Sequence, residues 1–150
     1  VKCADFLEFE SAEKFDYILS NPPFYPTRVQ KSENDSMLGS RYADMLPLDA
    51  FLQKAKKLLK PQGELIFCYD ARELQGVACE AEKLKGASLT HIRLVHAKAD
   101  KSAKLLLVRI KNSSRAHLEV LPPLVVMNGS EYSDEAKRVF ACAACDSYDI

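Results

Sequence analysis

Leu89-Thr90-His91-Ile92-Arg93-Leu94-Val95 is followed closely by Ala103-Lys104-Leu105-Leu106-Leu107-Val108-Arg109-Ile110. Both runs read as strands. The first alternates His91 and Arg93 with Ile92 and Leu94, which suits an edge strand. The second holds four consecutive apolar residues and suits a more buried one. The connection between them, Ala97 to Ser102, has no room for a helix. A parallel pair needs a crossover of about a dozen residues or more, so these strands must be antiparallel neighbours.

The chain before this pair alternates strands and helices. Leu74, Val77, Ala78, Ala81 and Leu84 share one helical face, and Gly86 ends that helix. Leu65-Ile66-Phe67-Cys68-Tyr69 is a continuous apolar run, as expected of a parallel strand covered on both faces. Leu48, Phe51, Leu52, Ala55, Leu58 and Leu59 repeat at helical spacing, with Gln53, Lys54, Lys56 and Lys57 on the other face. Pro47 stands near that helix's start, and Lys60-Pro61-Gln62-Gly63 stops it. Tyr17-Ile18-Leu19-Ser20 reads as a buried strand, and Val1 to Ala4 as the end of another, joined by the polar connection Asp5 to Lys14. After the antiparallel pair come a short apolar run, Leu124-Val125-Val126-Met127, and a helix starting near Ser133 with Asp134 and Glu135 in its first turn. The order predicts an α/β fold in one domain over 1–150: the second half of a doubly wound sheet, ending in a reversed strand.

Composition narrows the function. Apolar residues make up 47% and charged residues 28%, as in an ordinary globular domain with a real core. The 21 basic and 21 acidic residues cancel, so any nucleic-acid contact must be local. No apolar run approaches the roughly 20 residues of a membrane span, and no signal-peptide pattern opens the chain. Five scattered cysteines, an odd number, suit reduced thiols in a cytoplasmic protein. Cys142 and Cys145 form a lone pair with no matching pair to complete a zinc site, and read as helix residues facing a small core. His91, His96 and His117 show no ligand spacing, so no metal site is expected.

Asn21-Pro22-Pro23-Phe24 follows the strand Tyr17 to Ser20. Two adjacent prolines cannot continue a ladder or enter a helix, so the chain leaves the sheet here. Ligands bind at the C-terminal ends of strands in open α/β sheets. This exit presents an amide, rigid carbonyls and a ring, a set suited to holding an amino group without protonating it. A long polar segment follows, from Pro22 to about Met45; a loop of that length is usually functional or disordered.

On these residues the chain resembles the C-terminal portion of class I S-adenosylmethionine-dependent methyltransferases. The carriers are the Asn-Pro-Pro-aromatic motif, the acidic stretch Cys3-Ala4-Asp5-Phe6, and Gly39-Ser40-Arg41-Tyr42 before the amphipathic helix. Leu59-Lys60-Pro61-Gln62-Gly63 and the reversed last strand complete the pattern. Glu131-Tyr132-Ser133-Asp134-Glu135 is similar to the tail of bacterial valine-tRNA adenine N6-methyltransferases. The resemblance implies a Rossmann-like sheet with strands in the order 4-5-7-6. It implies S-adenosylmethionine as cofactor, contacted by Asp5, Phe6 and Asn21, and an RNA substrate, most nearly tRNA adenine N6. Asn21, Pro22, Pro23 and Phe24 are its implied catalytic residues; Phe24, Tyr25 and Arg41 would touch the substrate. Ribosomal guanine N2 and release-factor glutamine methylation share the motif and stay open.

Asp5 has an alternative reading as an Asx-turn residue, and Arg41 as a partner of Asp44 or Asp49. Lys98, Lys101, Lys104, Arg109, Lys111 and Arg115 track either an RNA backbone or solvent. The family's glycine-rich first loop is absent: Gly39, Gly63, Gly76, Gly86 and Gly129 include no Gly-x-Gly. The expectation is therefore a piece of a methyltransferase domain, deficient in cofactor binding by itself. The alternative is a non-catalytic incomplete domain that self-associates, with Tyr17 to Ser20, the family's fourth strand, as its exposed edge.

Overall fold

The computed structural model describes residues 3–23 and 46–143. Strand β1 (Phe15–Ser20) leads to helix α1 (Leu48–Leu58), then β2 (Leu59–Asp70), a short 3-10 turn (Ala71–Glu73) and α2 (Leu74–Glu82). The hairpin of β3 (Ala87–Lys98) and β4 (Ala103–Asn112) follows. The tail contributes β5 (Glu119–Val120), β6 (Leu124–Asn128), β7 (Glu131–Tyr132) and α3 (Asp134–Ala143). The sheet order is β1-β2-β4-β3-β6-β7, with β5 paired to β3. β1 and β2 are parallel, and β4 runs antiparallel to both β2 and β3. This is the expected 4-5-7-6 order with the reversed strand inserted.

Local chemistry sets the element ends. Pro47 stands at the N-cap of α1, Asp49 lies in the first turn, and Lys56 and Lys57 in the last, each charge suiting the helix dipole. The chain then turns through Gln62, with φ 65°, into Gly63. A Cβ on Gly63 would lie 2.9 Å from the Phe15 carbonyl oxygen and 3.0 Å from that of Lys60, so only glycine lets β1 approach here. Ser133 caps α3: its hydroxyl accepts from Ala136 N–H at 3.1 Å and donates to the Val125 carbonyl at 2.6 Å.

The core lies between α1, α2 and one face of the sheet. Phe51, Leu52 and Ala55 of α1 and Val77 and Ala81 of α2 meet Leu65, Phe67, Leu106, Val108 and Ile110. Phe51 stands edge-on to Phe67 with ring centroids 5.5 Å apart.

Several expectations are corrected. Leu65 and Phe67 are buried but Ile66 and Cys68 only half-buried, so β2 is covered fully on one face and not on both. The same alternation leaves Tyr17 64% and Leu19 73% exposed on β1, which ends the sheet among the described residues. β3 is no edge, because β5 and β6 pair with its far side. Cys3 and Ala4 form no strand, having no neighbouring ladder among the described residues. Ala78 and Cys142 lie on helices as expected, but both are exposed. Cys145 and most of the polar segment lie outside the described residues. No described helix is long and apolar enough to cross a membrane.

Candidate functional site at the strand ends

β1 and β2 run parallel, so their C-terminal ends open on the same side of the sheet. Ser20 pairs with Phe67, which carries Asn21 out of the ladder level with Cys68. Asn21 is exposed, Pro22 buried and Pro23 half-buried. Pro22 thus anchors the exit while Asn21 stays accessible. The Cys68 thiol donates to Asn21 Oδ1 at 2.8 Å. Burial raises the Cys68 thiol above its ordinary value, which keeps it a protonated donor.

The next residues of β2 complete this end. Tyr69 is half-buried, and its hydroxyl is raised chiefly by burial and further by Glu73 and Asp70. Asp70 caps the 3-10 turn: Oδ1 accepts from the Arg72 backbone N–H at 2.9 Å, and Oδ2 from Arg72 Nη2 at 2.6 Å. The Arg72 guanidinium bond is the main cause holding the Asp70 carboxyl below its ordinary value, against the cost of burial. A depressed carboxylate stabilises the fold above its unfolded pKa and loses that contribution as pH falls through the folded value. Asp70→Asn is therefore expected to flatten the acid limb of stability below about pH 4, the ordinary carboxylate range. Thermal melts of both proteins across that range measure this; parallel acid limbs would contradict it.

Asp5 makes the turn weighed above: Oδ1 accepts from Leu7 N–H at 2.8 Å, and the residue is exposed. Phe6 packs on Phe51 with centroids 5.5 Å apart and joins the core margin. Beside them an apolar cleft of about 360 Å³ is lined by Ala4, Phe6, Phe15, Tyr17, Ile18 and Leu58 among others. Its wall takes in Phe15, Tyr17, Ile18 and Leu19 of β1, and Asn21 is not in it. Phe24, Tyr25 and Arg41 lie outside the described residues.

The basic positions of the hairpin divide. Arg109 is committed to Glu64, with Nε at 2.9 Å and Nη2 at 2.6 Å from its carboxylate, and Lys111 stands 4.0 Å from the same group. Lys98, Lys101, Lys104 and Arg115 are exposed. His91 lies 3.5 Å from Glu119, and His96 Nδ1 2.7 Å from the Lys101 carbonyl, so both have structural surroundings. Among the described residues no group of three or more His, Cys, Asp or Glu is placed to hold a metal ion.

Sequence reasoning missed Cys68. It stood in plain view within an apolar run, but its neighbour across the strands depends on register, which the run itself does not state.

The family model for Eco57I restriction-modification methylase matches residues 2–98, more than half of the chain. The chain belongs to this methylase family. Among curated relatives, the tRNA1(Val) (adenine(37)-N6)-methyltransferase of Aliivibrio fischeri strain ES114 is 30% identical over 131 residues, covering 87% of this chain and 54% of that protein. The enzyme of that name from Dyadobacter fermentans is 29% identical, covering 77% of this chain and 48% of that one. The chain thus spans about half the length of the curated relatives it matches. A crystal structure of a predicted O-methyltransferase from Agrobacterium tumefaciens superposes with a TM-score of 0.63 at 16% identity, over 92% of this chain and 56% of that one. The fold of this methylase-family chain is accordingly the Rossmann-like class I methyltransferase fold, in its later strands.

Proposed function

We propose that the protein is an S-adenosylmethionine-dependent N-methyltransferase acting on an exocyclic amino group of an RNA base, with adenine N6 in tRNA as the first substrate to test. The observation that carries this reading is Asn21 itself. Its amide is exposed at the strand exit, held by one thiol contact and backed by the buried Pro22.

An exocyclic base nitrogen is a poor nucleophile because its lone pair is delocalised into the ring. The Asn21 side-chain oxygen and the Pro22 carbonyl are two acceptors for its hydrogens. Held by both, the nitrogen pyramidalises and aims its lone pair out of the ring plane. Acceptors fixed before the reaction also stabilise the positive charge that develops on nitrogen. Because the prolines lock the backbone, little reordering is needed as the reaction proceeds. Phe24 and Tyr25, next in sequence, supply rings on which a displaced base stacks, worth about 1–3 kcal/mol.

S-adenosylmethionine supplies the electrophilic methyl group. The described residues fit one end of it. Asp5 exposes a carboxylate acceptor suited to the adenine amine, beside the apolar wall of Ala4 and Phe6. The sequence holds no Gly-x-Gly turn for the remainder. Residues 1–150 alone are therefore expected to bind this cofactor weakly or not at all; micromolar affinity by calorimetry would contradict that.

The activity is tested with the natural full-length protein, labelled cofactor and three separate acceptors: tRNA, ribosomal RNA and release factor. Label in N6-methyladenine of tRNA is expected. Label in ribosomal guanine or in release factor alone would overturn the adenine reading.

A further inference from the structure

The Asn-Pro-Pro exit fixes the backbone of Asn21 but leaves its side chain two torsions. An exposed asparagine samples several rotamers, and only some present Oδ1 to a substrate amine. In this chain one partner removes that freedom. Cys68 reaches across from β2 and donates its thiol hydrogen to Asn21 Oδ1 at 2.8 Å. The strand register places it there: Ser20 and Phe67 are paired, so Asn21 and Cys68 are the next residues along two parallel strands.

We propose that Cys68 is a positioning residue for Asn21, its thiol orienting the amide so that the second lone pair of Oδ1 faces the substrate amino group. This rests on the reading of Asn21 as the amino-group acceptor. An amide oxygen has two lone pairs, so the thiol contact and a substrate hydrogen are compatible. A thiol is a weak donor, so it orients the oxygen while withdrawing little of its accepting power. A stronger charged donor at this place would orient Asn21 and also compete with the substrate. The thiol's half-buried surroundings favour its protonated form, so the donor persists at neutral pH. Among the described residues, the Cys68 thiol is the hydrogen-bond partner of the Asn21 side chain.

Three substitutions in the full-length protein separate orientation from packing. Cys68→Val removes the donor without opening a cavity; Cys68→Ala removes both donor and bulk; Cys68→Ser keeps a donor. A weak hydrogen bond, at the low end of the ordinary net range, predicts that kcat falls about 2–5-fold in the Val and Ala variants, with substrate KM within about twofold. Cys68→Ser is expected to recover most of the loss. A valine variant as fast as wild type, or equal losses in all three, would overturn the proposal. Side-chain amide 15N relaxation of Asn21 gives an answer independent of substrate. Disorder should rise in Cys68→Val and not in Cys68→Ser, whereas unchanged order in the valine variant overturns the positioning role. If wild type methylates no RNA yet Asn21 is loosened only when the donor is lost, the substrate reading fails while the orienting contact stands.

Discussion

Asn21→Ala will lower methyl transfer by about 10²–10³-fold, the usual cost of removing one fixed group that stabilises developing charge. On the proposed reading, the substitution removes the side-chain acceptor and leaves the Pro22 carbonyl alone to hold the substrate amine. The loss should fall on kcat, because the interaction strengthens as the nitrogen becomes positive. Asn21→Asp keeps an oxygen at the same place and should retain far more activity, although its charge alters the Cys68 contact. The exposed position of Asn21 makes a folding defect a poor alternative explanation. Single-turnover rates on the RNA substrate, with melting temperature as control, measure this. An alanine variant within tenfold of wild type would remove Asn21 from the chemistry.

The second large effect concerns stability. Glu64 is 6% exposed, on the sheet face away from α1 and α2. Its carboxylate is held by Arg109 in a forked pair, with Lys111 more distant at 4.0 Å. Arg109→Ala leaves a buried carboxylate with only that lysine. Breaking a buried pair typically costs about 3–5 kcal/mol. The Arg109 side chain is 41% exposed and Lys111 remains, so a cost below that range, about 2–3 kcal/mol, is expected. Urea denaturation measures it. Combining Arg109→Met with Glu64→Leu should recover most of the loss, since neither charge is then stranded. A single Arg109→Ala change costing under about 0.5 kcal/mol would show that water reaches Glu64 freely.

The same pair shows where sequence reading stops. Arg109 stands among the basic positions of the hairpin and reads, with Lys104 and Lys111, as a surface charge. Only the ladder, which sets Ile66 against Arg109 and Glu64 against Lys111, makes it the diagonal neighbour of a buried acid. β3 teaches the converse. Its alternation of polar and apolar residues suits an edge, yet the tail returns to pair with it. Alternation reports how well the two faces are covered, not whether another strand lies beside it.

The sequence by itself determined the alternation of strands and helices from Phe15 to Asn112, the antiparallel hairpin and the exit at Asn21-Pro22-Pro23. Each follows from local rules: hydrophobic period, a connection too short for a crossover, and prolines that cannot continue a ladder. The tertiary structure alone decided which side chains meet. Cys68 on Asn21, Arg109 on Glu64 and the exposed Tyr17 and Leu19 all depend on register and on which sheet face the helices cover. Those are long-range choices, fixed by the packing of α1 and α2 against a single face, and no stretch of local sequence contains them.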